Sequence, residues 1–133
     1  MSERSKSAGL YFDKGYNCAQ SVLLSFADEL PISKEEAAKL ASSFGGGMAG
    51  MHEVCGAVSA MFMAMGLKSG LSVPDAAAKA AHYAKLNKLA EEFKSDFGSV
   101  ICRDLLKDKE DPARRLLCRE YVKRAAEILE KEI

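Results

Sequence analysis

The chain has 133 residues, 48% hydrophobic and 29% charged, with 19 basic and 19 acidic side chains and so no formal net charge. That length makes one domain with an ordinary core, and that composition excludes a disordered chain. The charge balance leaves no broad electrostatic case for nucleic acid or an anionic membrane as partner.

Residues 3–14 are predicted as a short amphipathic helix with Ala8, Leu10 and Tyr11 facing inward, closed by Gly15. Asn17 is a good N-cap, and Val22, Leu23 and Phe26 follow at helical spacing. Cys18 therefore takes the first position of a second helix, which Pro31 ends. Ser33-Lys34-Glu35-Glu36 reads as a capping box for a third helix running to about Ser43.

Next comes Phe44-Gly45-Gly46-Gly47-Met48-Ala49-Gly50-Met51-His52-Glu53-Val54-Cys55-Gly56, which holds four of the ten glycines within six residues and a fifth directly after Cys55. No residue from Val54 to Leu67 is charged. This pattern is a glycine-rich loop delivering Cys55 to the start of an apolar central helix that ends near Gly66–Gly70. A membrane span needs ~20 apolar residues; this run is shorter and reads as a buried helix. Gly56, Ala57 and Ala60 are small enough to let another backbone come close.

Ser72-Val73-Pro74-Asp75 opens the longest helix, with proline in the first turn. Alanines 76–78, 80, 81, 84 and 90, with Tyr83, Leu86, Leu89 and Phe93, make it strongly helical, and it stops at Phe97-Gly98. Ser99 can cap a short sixth helix, Val100–Lys107, with Cys102 in its first turn. Asp111-Pro112 starts the last helix, through Leu117, Cys118, Tyr121, Val122, Ala125, Ile128 and Leu129. No alternating β-branched stretch competes. The expectation is an all-α single domain over residues 1–133, with about seven helices around a central helix rich in Gly, Ala and Met. Met1-Ser2-Glu3-Arg4-Ser5-Lys6 is charged at once and leads into no signal-peptide apolar segment. The expected compartment is the cytoplasm, where four cysteines suggest metal or redox chemistry before structural disulfides.

Those cysteines, 18, 55, 102 and 118, fall on four different helices with no Cys-x-x-Cys pair. Three sit in first turns, where free backbone amides and the helix dipole favour a thiolate, the form that ligates metals and attacks disulfides. Cys118 lies deeper in its helix, with Arg115 and Arg119 close in sequence. Against this stands plain packing, since free cysteine is often a small buried hydrophobe, and Cys118 beside Val122, Ala125 and Leu129 fits that description best.

Other motifs carry less. Gly45-x-Gly47-x-x-Gly50 matches a dinucleotide fingerprint as a string, but no strand precedes it. Its amides, at Gly46 and Gly47 above all, could meet an anion or a cluster sulfur, or the loop could be a tight connection between helices. His52-x-x-Cys55 could chelate a metal, or His52 could be an exposed loop residue. His82 has no ligand partner nearby in sequence. Met61 and Met65 share one helix face and read as core rather than as soft-metal donors.

Gly15-Tyr16-Asn17-Cys18-Ala19-Gln20, Gly45-Gly46-Gly47-Met48, Cys55-Gly56-Ala57, Phe97-Gly98 with Cys102-Arg103, and the isolated Cys118 together resemble a known family. It comprises small proteins named for a C_GCAxxG_C_C pattern of four characteristic cysteines. One position departs: the family's motif ends in glycine, where this chain has Ala60. The resemblance implies redox or metal-cluster chemistry at Cys18, Cys55, Cys102 and Cys118, and names no reaction or substrate.

The expected function is a redox protein whose four cysteines meet at one centre. An iron–sulfur cluster used in electron transfer is the first reading, and zinc is the alternative metal. A metal-free thiol–disulfide oxidoreductase is the second reading, and a helical interaction module with inert cysteines the third. The expected partner is another redox protein, unidentified, with no nucleic acid and no membrane; self-association stays open.

Overall fold

The computed structural model describes residues 2–133 and, among them, is all-helical. Its elements are α1 (Glu3–Asp13), α2 (Cys18–Leu24), α3 (Lys34–Ala41), α4 (Gly56–Ser69), α5 (Ala76–Phe97), α6 (Cys102–Leu105) and α7 (Ala113–Glu130), with single 3-10 turns at Ala27–Glu29 and Ser42–Phe44. α4 is the apolar centre: Ala57, Val58, Ala60, Met61, Ala64 and Met65 are all buried. α2 packs along one side of it, while α1 and α7 pair with each other and close the bundle. None of the described helices is long and apolar enough to cross a membrane.

Helix starts follow the caps. Asn17 accepts from the Gln20 amide while the Gln20 side chain accepts from Asn17 N–H, and Ser33 and Glu36 repeat that exchange. Each box satisfies two amides that would otherwise be orphaned at a helix start. Two further side-chain bonds carry this local order outward. Asn17 Nδ2 donates to Ser42 O at 3.1 Å and Gln20 Nε2 to Ala38 O at 2.9 Å, fastening α3 to the start of α2.

Several boundaries differ from the sequence expectation, each for a local reason. Leu10 is 59% exposed; Ala8 faces inward as expected and Phe12 takes the place of Leu10, because the buried stripe of α1 runs Ser5, Ala8, Phe12. α2 stops at Leu24, well before Pro31, since Ser25 turns its hydroxyl back onto Val22 O and a 3-10 turn follows. α3 ends at Ala41 and its last residues continue as a 3-10 turn. Asp75, not Ser72, caps α5, its carboxylate accepting from the Ala78 amide. α6 covers only Cys102–Leu105, because Ser99 Oγ serves the Ile101 amide instead of capping a longer helix. Pro112 occupies the cap position of α7 where Asp111 was expected.

α5 is attached by its second half. Leu89 and Phe93 are buried and Phe93 stacks with Phe97 and Tyr121, with centroid distances of 4.9 and 5.9 Å. Arg124 of α7 also bridges to Glu92 and Asp96 of α5. The alanine-rich first half is exposed, including Tyr83 at 56%. Phe93→Ala should therefore cost about 3–5 kcal/mol in urea denaturation, whereas Tyr83→Ala should stay within about 0.5 kcal/mol of the parent.

Candidate functional site

All four cysteines, one each from the N-cap of α4, the first turns of α2 and α6, and the middle of α7, line a single cavity of about 60 Å³. Gly46, His52, Gly56, Leu105, Leu106 and Tyr121 complete its wall. Cys18, Cys55 and Cys102 are buried, Cys118 is half-buried, and all four are free thiols. Among the described residues, none lining the cavity is a lysine, arginine, aspartate or glutamate.

Three local devices bring the thiols together. The first is Gly56. A Cβ there would stand 2.5 Å from Cys18 Sγ, 2.7 Å from Phe44 O and 3.2 Å from the Ala19 amide nitrogen. Only a bare Cα lets the starts of α2 and α4 touch, so the missing side chain makes room for the sulfur of Cys18, one residue after Cys55. The second is a crossed pair of segments. Cys55 N–H donates to Val100 O at 2.8 Å, and Cys102 N–H to Glu53 O at 2.6 Å, forming an isolated bridge between Val54 and Ile101. It sets Cys55 and Cys102 side by side from positions 47 residues apart in sequence. The third is Tyr121, whose hydroxyl donates to Leu105 O at 3.0 Å and fixes α6 to α7 under the aromatic cluster of α5.

The glycine loop wraps one wall. Gly46, Gly47, Met48, Ala49 and Gly50 all have positive φ, from 51° to 74°, and His52 follows at 60°. For Met48, Ala49 and His52 this left-handed backbone costs roughly 1–2 kcal/mol each. A Cβ on Gly47 would lie 2.8 Å from Cys102 Cβ, so the loop presses directly on that cysteine. The amides of Met48 to Glu53 donate to carbonyls of residues 43–48, which turns them inward into the loop. These bonds make residues 48–53 a tight connection, with Gly46 at the cavity and Gly47 against Cys102, while the Gly46 and Gly47 amides are not among the donors.

Burial, not helix position, governs the thiols. Desolvation pushes Cys55 well above the ordinary thiol value of 9.0, Cys18 adds like-charge repulsion, and the Ala57 and Val58 amides at the start of α4 pull back too weakly to offset it. Cys102 is raised by burial and then by Cys18, against Arg114 and Arg103. Burial, with Cys18 and Cys102 behind it, lifts Cys118 to about 12. Tyr121 is raised by its own burial and by Cys118, Cys55 and Cys102. The expectation of first-turn thiolates is therefore corrected for Cys55 and Cys102: alone in the cavity, these sulfurs keep their protons. Arg115 and Arg119 do not serve Cys118 either. Arg115 lies over the Phe12 ring and Arg119 pairs with Asp13, both on α1.

His52, which the sequence leaves open between a metal ligand and an exposed loop residue, reaches the cavity with Nδ1 3.6 Å from Cys102 Sγ. The His52-x-x-Cys55 spacing was the available signal; the positive φ that aims the ring was not readable. His82 lies half-buried on α5, and Met61 and Met65 are core. Met48 and Met51 are exposed.

A helical fold that lines one cavity with four thiols defines a class of small cysteine-centred proteins. The chain belongs to the family described as "Putative redox-active protein (C_GCAxxG_C_C)", whose profile matches residues 16–132. Neither a curated protein nor a solved structure matches it.

Two outcomes follow from this geometry. Gly56→Ala gains up to ~1 kcal/mol of helix propensity but overpacks a crossing bounded by backbone, so denaturant melts should show a net loss of about 1–3 kcal/mol. The second concerns pH. A thiol whose proton is held more tightly in the folded state contributes its full stability below the unfolded value and loses it as pH rises through the folded one. Metal-free, reduced protein should therefore lose stability from about pH 9 toward about pH 12, the window set by Cys118. Urea melts across that range should show the slope, and Cys118→Ser should make it shallower, with Cys55 and Cys102 supplying the remainder.

Proposed function

We propose that this chain is a redox protein whose cysteines hold a metal centre, specifically an iron–sulfur cluster used to pass electrons to a partner protein. The observation that carries this reading is the single cavity shared by Cys18, Cys55, Cys102 and Cys118. Its donor chemistry suits the group: thiols and one imidazole, with no competing carboxylate in the wall. Its electrostatics suit it as well. Buried sulfurs that repel each other as thiolates hold protons in the absence of a cation, and a cation supplies the missing counter-charge and releases those protons. The volume admits at least one ion-sized guest, since a single water needs only ~10–15 Å³ by the same measure. Among the described residues, no three donors are yet close enough to hold an ion; loading requires the side chains to draw inward.

An iron–sulfur cluster takes cysteine thiolates and supplies one-electron transfer, whereas zinc would take the same donors and transfer none. The chain's own contribution is to bury the centre, exclude water with Leu105, Leu106 and Tyr121, and hold Cys18 against Gly56. One observation favours a second reading. The Cys18 sulfur lies against the residue that follows Cys55, so these two thiols could join as a disulfide, releasing two protons and giving two electrons to an oxidised partner.

The test is anaerobic reconstitution with ferrous iron, sulfide and a thiol reductant. The expected product is brown, bleaches on reduction and holds iron and sulfide in equal amounts, and Cys18→Ser, Cys55→Ser and Cys102→Ser each lose it. Protein that stays colourless, and yields a Cys18–Cys55 disulfide on mild oxidation, would establish the second reading instead.

A further inference from the structure

We propose that His52 is a ligand of this centre through Nδ1, sharing one metal with Cys102. The inference rests on the metal-centre reading above and names a donor outside the four-cysteine pattern. The first support is a distance. Two ligands of a tetrahedral metal with bonds of ~2.3 Å to sulfur and ~2.0–2.1 Å to nitrogen stand about 3.6 Å apart, and Cys102 Sγ and His52 Nδ1 are 3.6 Å apart. The pair already has the spacing of half a coordination shell, in a wall that also carries Cys18 and Cys55.

The second support is the backbone that aims the ring. His52 has φ 60°, a left-handed conformation that a histidine adopts at a cost, and both its peptide groups are tied down. Its N–H donates to Gly46 O at 2.9 Å and its carbonyl accepts from the Arg103 amide at 3.1 Å. The second bond joins His52 to the residue after Cys102, so imidazole and thiol are positioned by one another's segment. The neighbouring carboxylate is turned elsewhere: Glu53 pairs with the Arg103 guanidinium at 3.0 Å. Imidazole is also a fitting donor for iron or zinc. Five donors then face four places, and Cys118, the one thiol of the four that is not buried, is left over.

Pulsed EPR on the reduced, anaerobically reconstituted full-length protein tests this. Wild type should show a strongly coupled nitrogen that His52→Asn lacks; asparagine tolerates the left-handed backbone, and His52→Gly serves if the Asn variant does not fold. His52→Cys, giving an all-thiolate shell, should lower the midpoint potential, because histidine in place of cysteine raises it. Iodoacetamide should label Cys118 in the loaded protein and spare the other three. A cluster without coupled nitrogen, unchanged in His52→Asn and protecting all four thiols, would overturn this inference and leave the four-cysteine centre standing. Failure of the wild type to take up iron and sulfide would overturn the centre itself, and His52 as its ligand with it.

Discussion

The close approach of α2 and α4 at Gly56 is the constraint on which the rest of the molecule depends. With a Cα only 1 residue past Cys55 pressed against the Cys18 sulfur, the starts of two helices share one point. Asn17 then cannot move freely, because Gly45 lies against its side chain as Gly56 lies against Cys18. From that point the glycine loop must turn sharply to connect the 3-10 turn at Ser42–Phe44 with α4. Its run of positive φ values is the result, and it delivers Glu53 and Cys55 to their bonds with Cys102 and Val100. The left-handed residues Met48, Ala49 and His52 are a local cost that the close packing around Cys18 and Cys102 offsets.

The same packing creates an electrostatic demand. Four sulfurs in one apolar wall cannot all ionise, and burial with mutual repulsion holds Cys55, Cys102 and Cys118 in the thiol form. Helix-start amides act on Cys55 in the expected direction but lose to desolvation, whose penalty for a buried charge is the larger effect. Thiols held in this way do not suit a nucleophile ready at neutral pH, because a nucleophilic cysteine needs its thiolate already populated.

Much of the fold was legible because it is written locally. The caps at Asn17 and Ser33, the apolar run of α4 and the glycine after Phe97 each act within a few residues, and each helix appears where these signals place it. Leu10 and the early end of α2 were misread because facing and length depend on partners elsewhere in the bundle. At the site, the local contexts of the four cysteines and the glycine after Cys55 marked the residues that line the cavity, Gly56 among them. The crossed bonds between residues 52–55 and 100–103 were not, being long-range pairings with no local periodicity. For the same reason the sequence could not choose between His52 as a ligand and as a loop residue, and the thiols looked activated when burial dominates them.

The shared cavity predicts that sulfurs from separate helices act as one unit, which can be tested without any metal. Trivalent arsenicals bind neighbouring thiols jointly and isolated ones singly and weakly. Titrating the reduced, metal-free protein with a monosubstituted arsenical, then alkylating under denaturing conditions and mapping peptides, reads out which cysteines were held together. The expected result is tight uptake of one equivalent that protects Cys18 together with Cys55 or Cys102. Weak uptake that leaves all four cysteines equally open to alkylation would contradict it.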